Sequence, residues 1–446
     1  MMKKRCLLCG LILLLLLTAC TTTKENPKKQ TGEETAESLE KTDASFEAAD
    51  KRSGQESLAG ETEMNMSYPA RFHEKIRILR AEDRLQMKKY EIPQEYEDKI
   101  LKCGGPLTRG IVRADLYRLY DPEDERPVQP LKYAVGFYDL EKKQFTKIED
   151  VERKPFSNDN SEREYLQELS EESFLYIQQR EGKISYLVYH LKDASLTKLV
   201  EYPVAEDWQF VPDPVYMKPY LYIYETLPSG KTRLHAYNPE TMEDRIVAQE
   251  GFSPRKYKDK ELYFAPTDPR QPEKGVTLIG TDGEYRFPKE DGTLLASFDY
   301  TLEPVGDKVY LLTRNDKTDV LMEDIKVDAD TPEDRKAAFE MTPYFEIREL
   351  TTGDVIFRSR GRFPEMSASK SWLTMRRAPI FDDDIVYPYL YIPEENIVLR
   401  FTTGADMKLV GPFLLRNQDY GILFGVQDFG REWNKDGVNI LYTFEE

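Results

Sequence analysis

Histidine is scarce in this sequence, which has three histidines among 446 residues: His73, His190 and His235. Zinc sites need several convergent nitrogen or sulfur ligands, and no third candidate accompanies His190 and His235. A serine hydrolase of the common type needs a nucleophile elbow, and no G-x-S-x-G occurs. We therefore predict no metal site, no cofactor and no histidine-based catalysis.

Long apolar runs are also lacking, except for Leu7–Leu17, which is too short to favour a stable membrane span. Three basic residues precede this run, and it ends in Leu17-Thr18-Ala19-Cys20. In this order, these features resemble the signal peptide and lipobox of bacterial lipoproteins. The resemblance implies cleavage of residues 1–19 as a signal peptide and lipidation of Cys20. It places the protein at the extracytoplasmic face of the cell membrane, anchored by acyl chains alone.

Positive charge is in deficit, with 63 Lys and Arg residues against 81 Asp and Glu residues and a formal net charge of −18. Nucleic-acid binding requires a basic surface that displaces counterions, so we expect no nucleic-acid partner. The same balance argues against a folded domain that lies on anionic lipid. The membrane is therefore a partner only through the lipid anchor.

Cysteine is rare as well, and cleavage before Cys20 leaves only Cys20 and Cys103. With Cys20 acylated, no disulfide can form inside the folded part. We interpret Cys103-Gly104-Gly105-Pro106 as a turn. The neighbourhood supplies no cation or helix start that would lower a thiol pKa, so we predict an inert Cys103.

Residues 20–65 are polar, and Phe46 is their only aromatic residue. Such a segment buries too little apolar surface to offset the entropy lost on ordering. We predict a flexible tether over residues 20–65 and a folded domain over residues 66–446.

A strand-and-turn unit recurs through this domain. In Pro219–Gln249, Tyr220 to Tyr224 alternates with period 2, turn residues follow, and two further strand patterns come after Gly230. Tyrosines 176, 222, 263 and 310 mark equivalent points, 41 to 47 residues apart. A four-stranded propeller blade takes about 40 to 50 residues. The spacing predicts an all-β fold, a β-propeller of seven blades, with six or eight left open.

The step from Tyr310 to Tyr387 is too long for one such unit. Residues 322–341 between them are acidic and helix-prone, with Thr331 as a good N-cap and Pro332 at the first helical position. We predict that this short helical insertion splits one blade. The next unit is expected to open at Ile385-Val386-Tyr387 and to end near Val410.

The strand-and-turn rhythm of residues 105–446 resembles TolB-like and WD40-like β-propellers. In such a ring, Ile76–Leu79 could be the strand that closes it against the last blade. A short helix through Glu82–Tyr90 is equally compatible with the charges that follow.

Aromatic stripes are the most suggestive feature for ligand binding. Alternating tyrosines lie on single strand faces, where they could stack on sugars or line a peptide groove. The alternative is that they fill the space between blades. The candidate ligand-binding tyrosines are Tyr220, Tyr222, Tyr224, Tyr387, Tyr389 and Tyr391.

The sequence thus favours a lipid-anchored extracytoplasmic propeller that binds or scaffolds a protein, peptide or glycan at the cell envelope. The alternative is an enzyme that degrades envelope or extracellular polymers with paired carboxylates at the propeller mouth. No such pair can be assigned from the sequence, so no catalytic residue is predicted. A two-lobed transporter-binding protein would need alternating βα units, which are not seen.

Overall fold

The structure, a computed structural model, describes residues 71–118, 131–151, 163–204, 214–217, 219–227, 232–248, 254–257, 260–265, 276–280, 283–287, 300–314, 331, 334, 337, 344–349, 351–360, 362–378, 387–403, 408–416, 418–427 and 435–445. The signal peptide, Cys20 and the tether lie outside these residues, so their assignments stay predictions. Within the described ranges, no helix is long and apolar enough to cross a membrane.

Strands dominate the described residues and form seven separate sheets of four or five strands. Three strands come first in the chain: β1 (Arg71–Phe72), β2 (Arg77–Arg80) and β3 (Gln86–Pro93). A 3₁₀ turn at Ala81–Asp83 separates β2 from β3.

Sheets 1 to 4 then follow as consecutive antiparallel meanders. Sheet 1 holds β4 (Glu95–Tyr96), β5 (Lys99–Thr108), β6 (Ile111–Arg118), β7 (Leu131–Asp139) and β8 (Gln144–Asp150); sheet 2 holds β9 (Arg163–Glu168), β10 (Ser173–Arg180), β11 (Lys183–His190) and β12 (Ser195–Pro203); sheet 3 holds β13 (Val215–Met217), β14 (Tyr220–Thr226), β15 (Thr232–Tyr237) and β16 (Asp244–Ala248); sheet 4 holds β17 (Pro254–Tyr257), β18 (Lys260–Ala265), β19 (Val276–Gly280) and β20 (Gly283–Phe287).

Sheets 5 to 7 each take one strand from the beginning of the described chain. Sheet 5 holds β21 (Tyr300–Val305), β22 (Lys308–Arg314), β23 (Tyr344–Glu349) and β24 (Val355–Arg360), with β1 outermost; sheet 6 holds β25 (Arg362–Ala368), β26 (Leu373–Ala378), β27 (Pro388–Ile392) and β28 (Ile397–Arg400), with β2 outermost; sheet 7 holds β29 (Lys408–Leu414), β30 (Tyr420–Gln427) and β31 (Val438–Glu445), with β3 outermost.

The ring is closed by β3, which pairs antiparallel with β31 from Gln86↔Glu445 to Pro93↔Val438. This corrects both expectations for the start of the domain. The stretch predicted to close the ring, Ile76–Leu79, instead overlaps β2, which pairs in parallel with β28 of sheet 6. The suggested helix Glu82–Tyr90 was wrong beyond its first turn, because the neighbouring strand supplies the pairing that weak local propensity could not.

Buried apolar clusters join neighbouring sheets face to face. Shared cores link sheet 1 to sheet 2, sheet 2 to sheet 3, sheet 5 to sheet 6, sheet 6 to sheet 7, and sheet 7 back to sheet 1. Sheets 4 and 5 touch through β17 and β21. Because the last sheet packs on the first, the described sheets form a β-propeller, and the all-β prediction is confirmed. The side chains of sheet 4 are outside the described part, so the blade number stays a prediction.

The insertion predicted at 322–341 falls in the connection between β22 and β23, which pair directly in sheet 5. Most of it lies outside the described residues, but the described residues Asp334 and Ala337 are helical. At the predicted N-cap of this insertion, the backbone N–H of Asp334 donates to Thr331 Oγ1 at 3.1 Å.

The prediction that a new unit opens at Ile385-Val386-Tyr387 was wrong. Sheet 6 begins at β25, and Tyr387 immediately precedes its third strand. The unit also ends with β28, since Val410 belongs to β29 of sheet 7. The long step from Tyr310 therefore combines an insertion with a marker that is one strand late.

Candidate ligand site in the axial cavity

Strands β5, β9, β17, β21, β25 and β29 lie on the inner side of the ring. Successive inner strands contact one another, as β5 does β9, β17 does β21, β21 does β25, β25 does β29 and β29 does β5. Between them lies a cavity of about 370 Å³, at the lower end of the range for ligand pockets. Sheets 1, 2, 3, 6 and 7 contribute its described lining: Gly105, Pro106, Leu107, Arg113, Leu166, Gln167, Glu168, Tyr216, Met366, Ser367, Thr374, Met375, Arg376, Pro412, Phe413, Leu414 and Arg416.

Three of the lining strands are irregular. The pairing register shifts in β5 around Cys103–Pro106, in β25 between Arg362 and Glu365, and in β29 between Leu409 and Gly411. Bulges of this kind redirect side chains and are common next to functional sites. The stretch Cys103-Gly104-Gly105-Pro106, predicted to be a turn, is such a bulged stretch inside β5. The prediction failed because Gly-Pro marks bulges as well as turns.

The two glycines of this bulge make room for cavity side chains. A Cβ at Gly104 would lie 3.0 Å from Arg113 Nε and 3.1 Å from its Nη2, tighter than usual contacts. A Cβ at Gly105 would lie 3.6 Å from the Phe413 ring, an ordinary contact distance. Gly104 therefore lets the Arg113 guanidinium lie against the backbone of β5, and the backbone of Gly105 lies beside the Phe413 ring.

One hydrogen bond at the cavity joins sheet 7 to sheet 2. The backbone N–H of Arg416, just after β29 of sheet 7, donates to Glu168 Oε2 of sheet 2 at 3.0 Å. Sheet 1 lies between these two sheets in the ring. Glu168 is the single carboxylate among the described lining residues, so this part of the cavity does not contain the carboxylate pair of the predicted enzyme alternative.

Gln167 is held in a defined orientation. Its Nε2 donates to the carbonyl oxygen of Pro214 at 3.0 Å. A carbonyl oxygen can only accept, so this partner assigns the amide nitrogen to that side. Gln167 Oε1 is buried and has no hydrogen-bond partner within the described part of the chain. A buried acceptor without a donor costs about 1–3 kcal/mol.

Cys103 lies on β5 behind the cavity and is buried without a disulfide partner. Burial raises the pKa of its thiol, and the nearby charge of Asp115 raises it further. Asp115 also pairs with Lys132 at 3.1 Å, and burial lowers the pKa of Lys132 despite that contact. The thiol is therefore protonated at neutral pH and is a poor nucleophile.

The candidate tyrosines are not among the lining residues described. Tyr222 and Tyr224 are buried in the core shared by sheets 2 and 3. Tyr389 and Tyr391 are buried in the core shared by sheets 5 and 6, where Tyr391 meets Tyr310 edge to face at 5.8 Å. The structure thus separates the six tyrosines into two groups at two sheet interfaces.

Tyr220 and Tyr387 are only half-buried. Guanidinium groups lie over both rings, that of Arg245 at 4.4 Å from Tyr220 and that of Arg400 at 5.2 Å from Tyr387. A ligand role for these tyrosines stays a prediction.

His235 is a buried side chain that contacts two carboxylates of its own sheet. Its Nδ1 lies 2.8 Å from Asp244 Oδ1 and its Nε2 lies 3.2 Å from Glu225 Oε2. Among the residues the structure describes, no group of three or more histidine, cysteine and acidic side chains could hold a metal ion.

No protein-family model matches the chain, and no curated protein matches it. Among solved structures, it is similar to the β-propeller domain of the trilobed protease from Pyrococcus furiosus, with 11% identity, a TM-score of 0.44, and coverage of 78% of this chain and 94% of that one. It is also similar to the WD40 domain of SCAP from fission yeast, at 9% identity, TM-score 0.37, and coverage of 81% and 98%. For TolB from Acinetobacter baumannii the values are 10%, 0.35, 77% and 80%. These likenesses concern the fold alone.

Proposed function

We propose that this chain is a lipid-anchored extracytoplasmic β-propeller, in which each of the seven sheets is one blade. It binds a protein, peptide or glycan partner at the cell envelope and uses the axial cavity as the ligand site. The signal-peptide anatomy and the lipobox at Cys20 support the anchor and the location. The polar segment 20–65 supports a tether that leaves the propeller opening accessible.

The observation that carries the binding assignment is the composition of the cavity wall. Charged, polar and apolar side chains converge there from five sheets. Ligand sites combine apolar walls with a few such polar groups that fix orientation. The sheet interfaces, by contrast, are filled by large buried side chains.

A cavity-filling variant tests this function. Ser367 lines the cavity and is exposed, so Ser367→Trp places a large side chain in the opening. Lys198→Trp is the matched control, because Lys198 is exposed on the outer strand of sheet 2. We expect envelope partners captured by the unsubstituted protein to be retained by Lys198→Trp and lost with Ser367→Trp. Retention by both variants would show that the partner binds elsewhere on the propeller.

A further inference from the structure

The described lining of the cavity is rich in arginine, although the chain as a whole is acidic. The net charge of the sequence is −18, yet the described lining includes Arg113, Arg376 and Arg416 against the single carboxylate of Glu168. Part of that carboxylate's capacity is used by the backbone N–H of Arg416. An excess of one sign of charge is focused by the low-dielectric walls of a cleft, so this excess of arginine favours an anionic ligand.

The position of Arg113 matches recognition of a carboxylate. Its guanidinium lies against β5 over Gly104, where a Cβ would crowd both Nε and Nη2. A planar guanidinium presents parallel N–H donors that fit the two oxygens of a carboxylate, and the contact is stronger in a partly desolvated cavity. Arg113 and Arg376 are both half-buried.

The remaining wall favours a peptide over a glycan. Aliphatic and aromatic side chains, including Leu166, Met375 and Phe413, form apolar surface that would leave sugar hydroxyls without hydrogen bonds. Phe413 is 37% exposed, so its ring is accessible to a ligand.

From these observations we infer that the axial cavity binds an acidic peptide segment. Its carboxylate pairs with the arginines, and an adjacent apolar side chain packs on Phe413. This inference rests on the proposed function of the cavity as a ligand site and adds the chemical class of the ligand.

The test measures binding of fluorescent probes to the mature chain, tether included, with Cys20→Ser to prevent lipidation. The main probe is a hexapeptide of alternating glutamate and leucine. The matched neutral probe has glutamine in place of glutamate, and a uronic-acid oligosaccharide represents anionic glycans. We expect the acidic peptide to bind at least about tenfold more tightly than the neutral peptide, equivalent to about 1.4 kcal/mol. Its affinity should fall as salt rises.

Substitutions locate the interaction. Arg113→Gln and Arg376→Gln should each weaken acidic-peptide binding about tenfold, because each removes a charge-assisted contact. Arg113→Lys should lie between these and the unsubstituted protein, since it keeps the charge and loses the paired donors. Arg77→Gln is the control, because it removes the same charge from β2, at the outer edge of the sheet that holds Arg376. Binding by this control should be unchanged.

The outcomes separate this inference from the proposed function. Equal binding of acidic and neutral peptides, blocked by Ser367→Trp, would overturn the anionic ligand and keep the cavity as a site. Binding of the uronic-acid probe without the peptide would overturn the peptide assignment. Failure of every probe to bind at about 1 mM, while Ser367→Trp still abolished partner capture, would overturn the inference alone.

Discussion

Two regions of the propeller use their side chains in opposite ways. At the sheet interfaces, Tyr222, Tyr224 and Tyr391 are buried, and Tyr391 donates from its hydroxyl to Asn396 Oδ1 at 3.2 Å. In the axial cavity, Arg113 is half-buried and Gln167 Oε1 lacks a described partner. Large buried side chains that fill an interface contribute to stability, whereas a cavity lined by half-buried charged side chains retains binding capacity for a ligand. The regular tyrosine pattern therefore lies mostly in the packed interfaces, and the bulged strands line the cavity.

The largest effect is expected at an interface tyrosine. Tyr222→Ala removes a fully buried ring from the core shared by sheets 2 and 3, so the free energy of unfolding should fall by about 3–5 kcal/mol, as for other buried aromatic truncations. Urea unfolding followed by circular dichroism measures it. Tyr220→Ala is the matched control on the same strand, and its half-buried ring predicts a clearly smaller loss. Equal losses would contradict the division of the stripe into packing and surface residues.

A second large loss of stability is expected from adding a methyl group at Gly421, which lies beside the buried Phe444 ring. A Cβ at Gly421 would lie 2.2 Å from Phe444 Cζ and 2.9 Å from Leu414 Cδ2. Phe444 is buried and stacks on Trp372 at 5.8 Å, so it has little room to move. Gly421→Ala should cost about 1–3 kcal/mol through overpacking.

Gly105→Ala is the cavity counterpart of this substitution. Its nearest neighbour, the Phe413 ring, lies 3.6 Å away. The free energy of unfolding of Gly105→Ala should stay within about 0.5 kcal/mol of the unsubstituted protein. A loss as large as that of Gly421→Ala would show that the cavity wall is as tightly packed as the interfaces.

A pH-dependent effect of about 1 kcal/mol is expected where the N-terminal strands attach. Glu82 accepts hydrogen bonds from the backbone N–H groups of Thr402 at 2.8 Å and Thr403 at 2.6 Å. Burial alone would raise the pKa of Glu82, but the Thr403 hydroxyl and the backbone N–H groups lower it below 4.5 overall. This stabilisation is present above the ordinary pKa and is lost as pH falls through the folded-state pKa.

Glu82→Gln should therefore lower the free energy of unfolding at pH 7 and converge with the unsubstituted protein at low pH. Partial exposure screens the effect and keeps it modest. Glu395→Gln serves as the control, because its exposed pair with Arg84 at 3.0 Å predicts almost no change. A constant difference between Glu82→Gln and the unsubstituted protein from pH 7 to pH 3 would argue against this linkage.

The smallest effect on stability is expected inside the cavity. Gly104→Ala crowds only the end of the flexible Arg113 side chain, so unfolding should change by less than about 0.5 kcal/mol. The displaced guanidinium should nevertheless weaken binding of the acidic hexapeptide, whereas Gly105→Ala should not. A stability loss from Gly104→Ala as large as that from Gly421→Ala would show that Arg113 is tightly packed. The cavity wall and the sheet interfaces would then not differ in packing.

The fold was predictable from local patterns to the extent that strands alternate and end at turns. The expected strands after Phe174 and Tyr220 correspond to β10 to β12 and β14 to β16. The charged strand β3 was not predicted, because its partner β31 lies more than 340 residues later in the chain. Its eight residues pair there without any strong strand propensity of their own.

The candidate site was not predictable in the same way. Arg113, Gln167 and Arg376 lie in three different sheets, and no local period relates them. A weak signal was present in Gly104-Gly105 inside strand β5, and in Gln167-Glu168 at the end of β9. Both signals become informative only when the ring topology brings the inner strands together.

The most direct test of the central claim is to locate the bound peptide by photo-crosslinking. A diazirine on a leucine side chain of the acidic hexapeptide would be activated on the mature chain, and mass spectrometry would identify the modified residues. The account predicts adducts on the cavity wall, at Leu166, Met366 or Phe413, that disappear in Arg113→Gln and persist in Arg77→Gln. Adducts concentrated at Tyr220 or Tyr387 would contradict it and return the ligand site to the tyrosine strands.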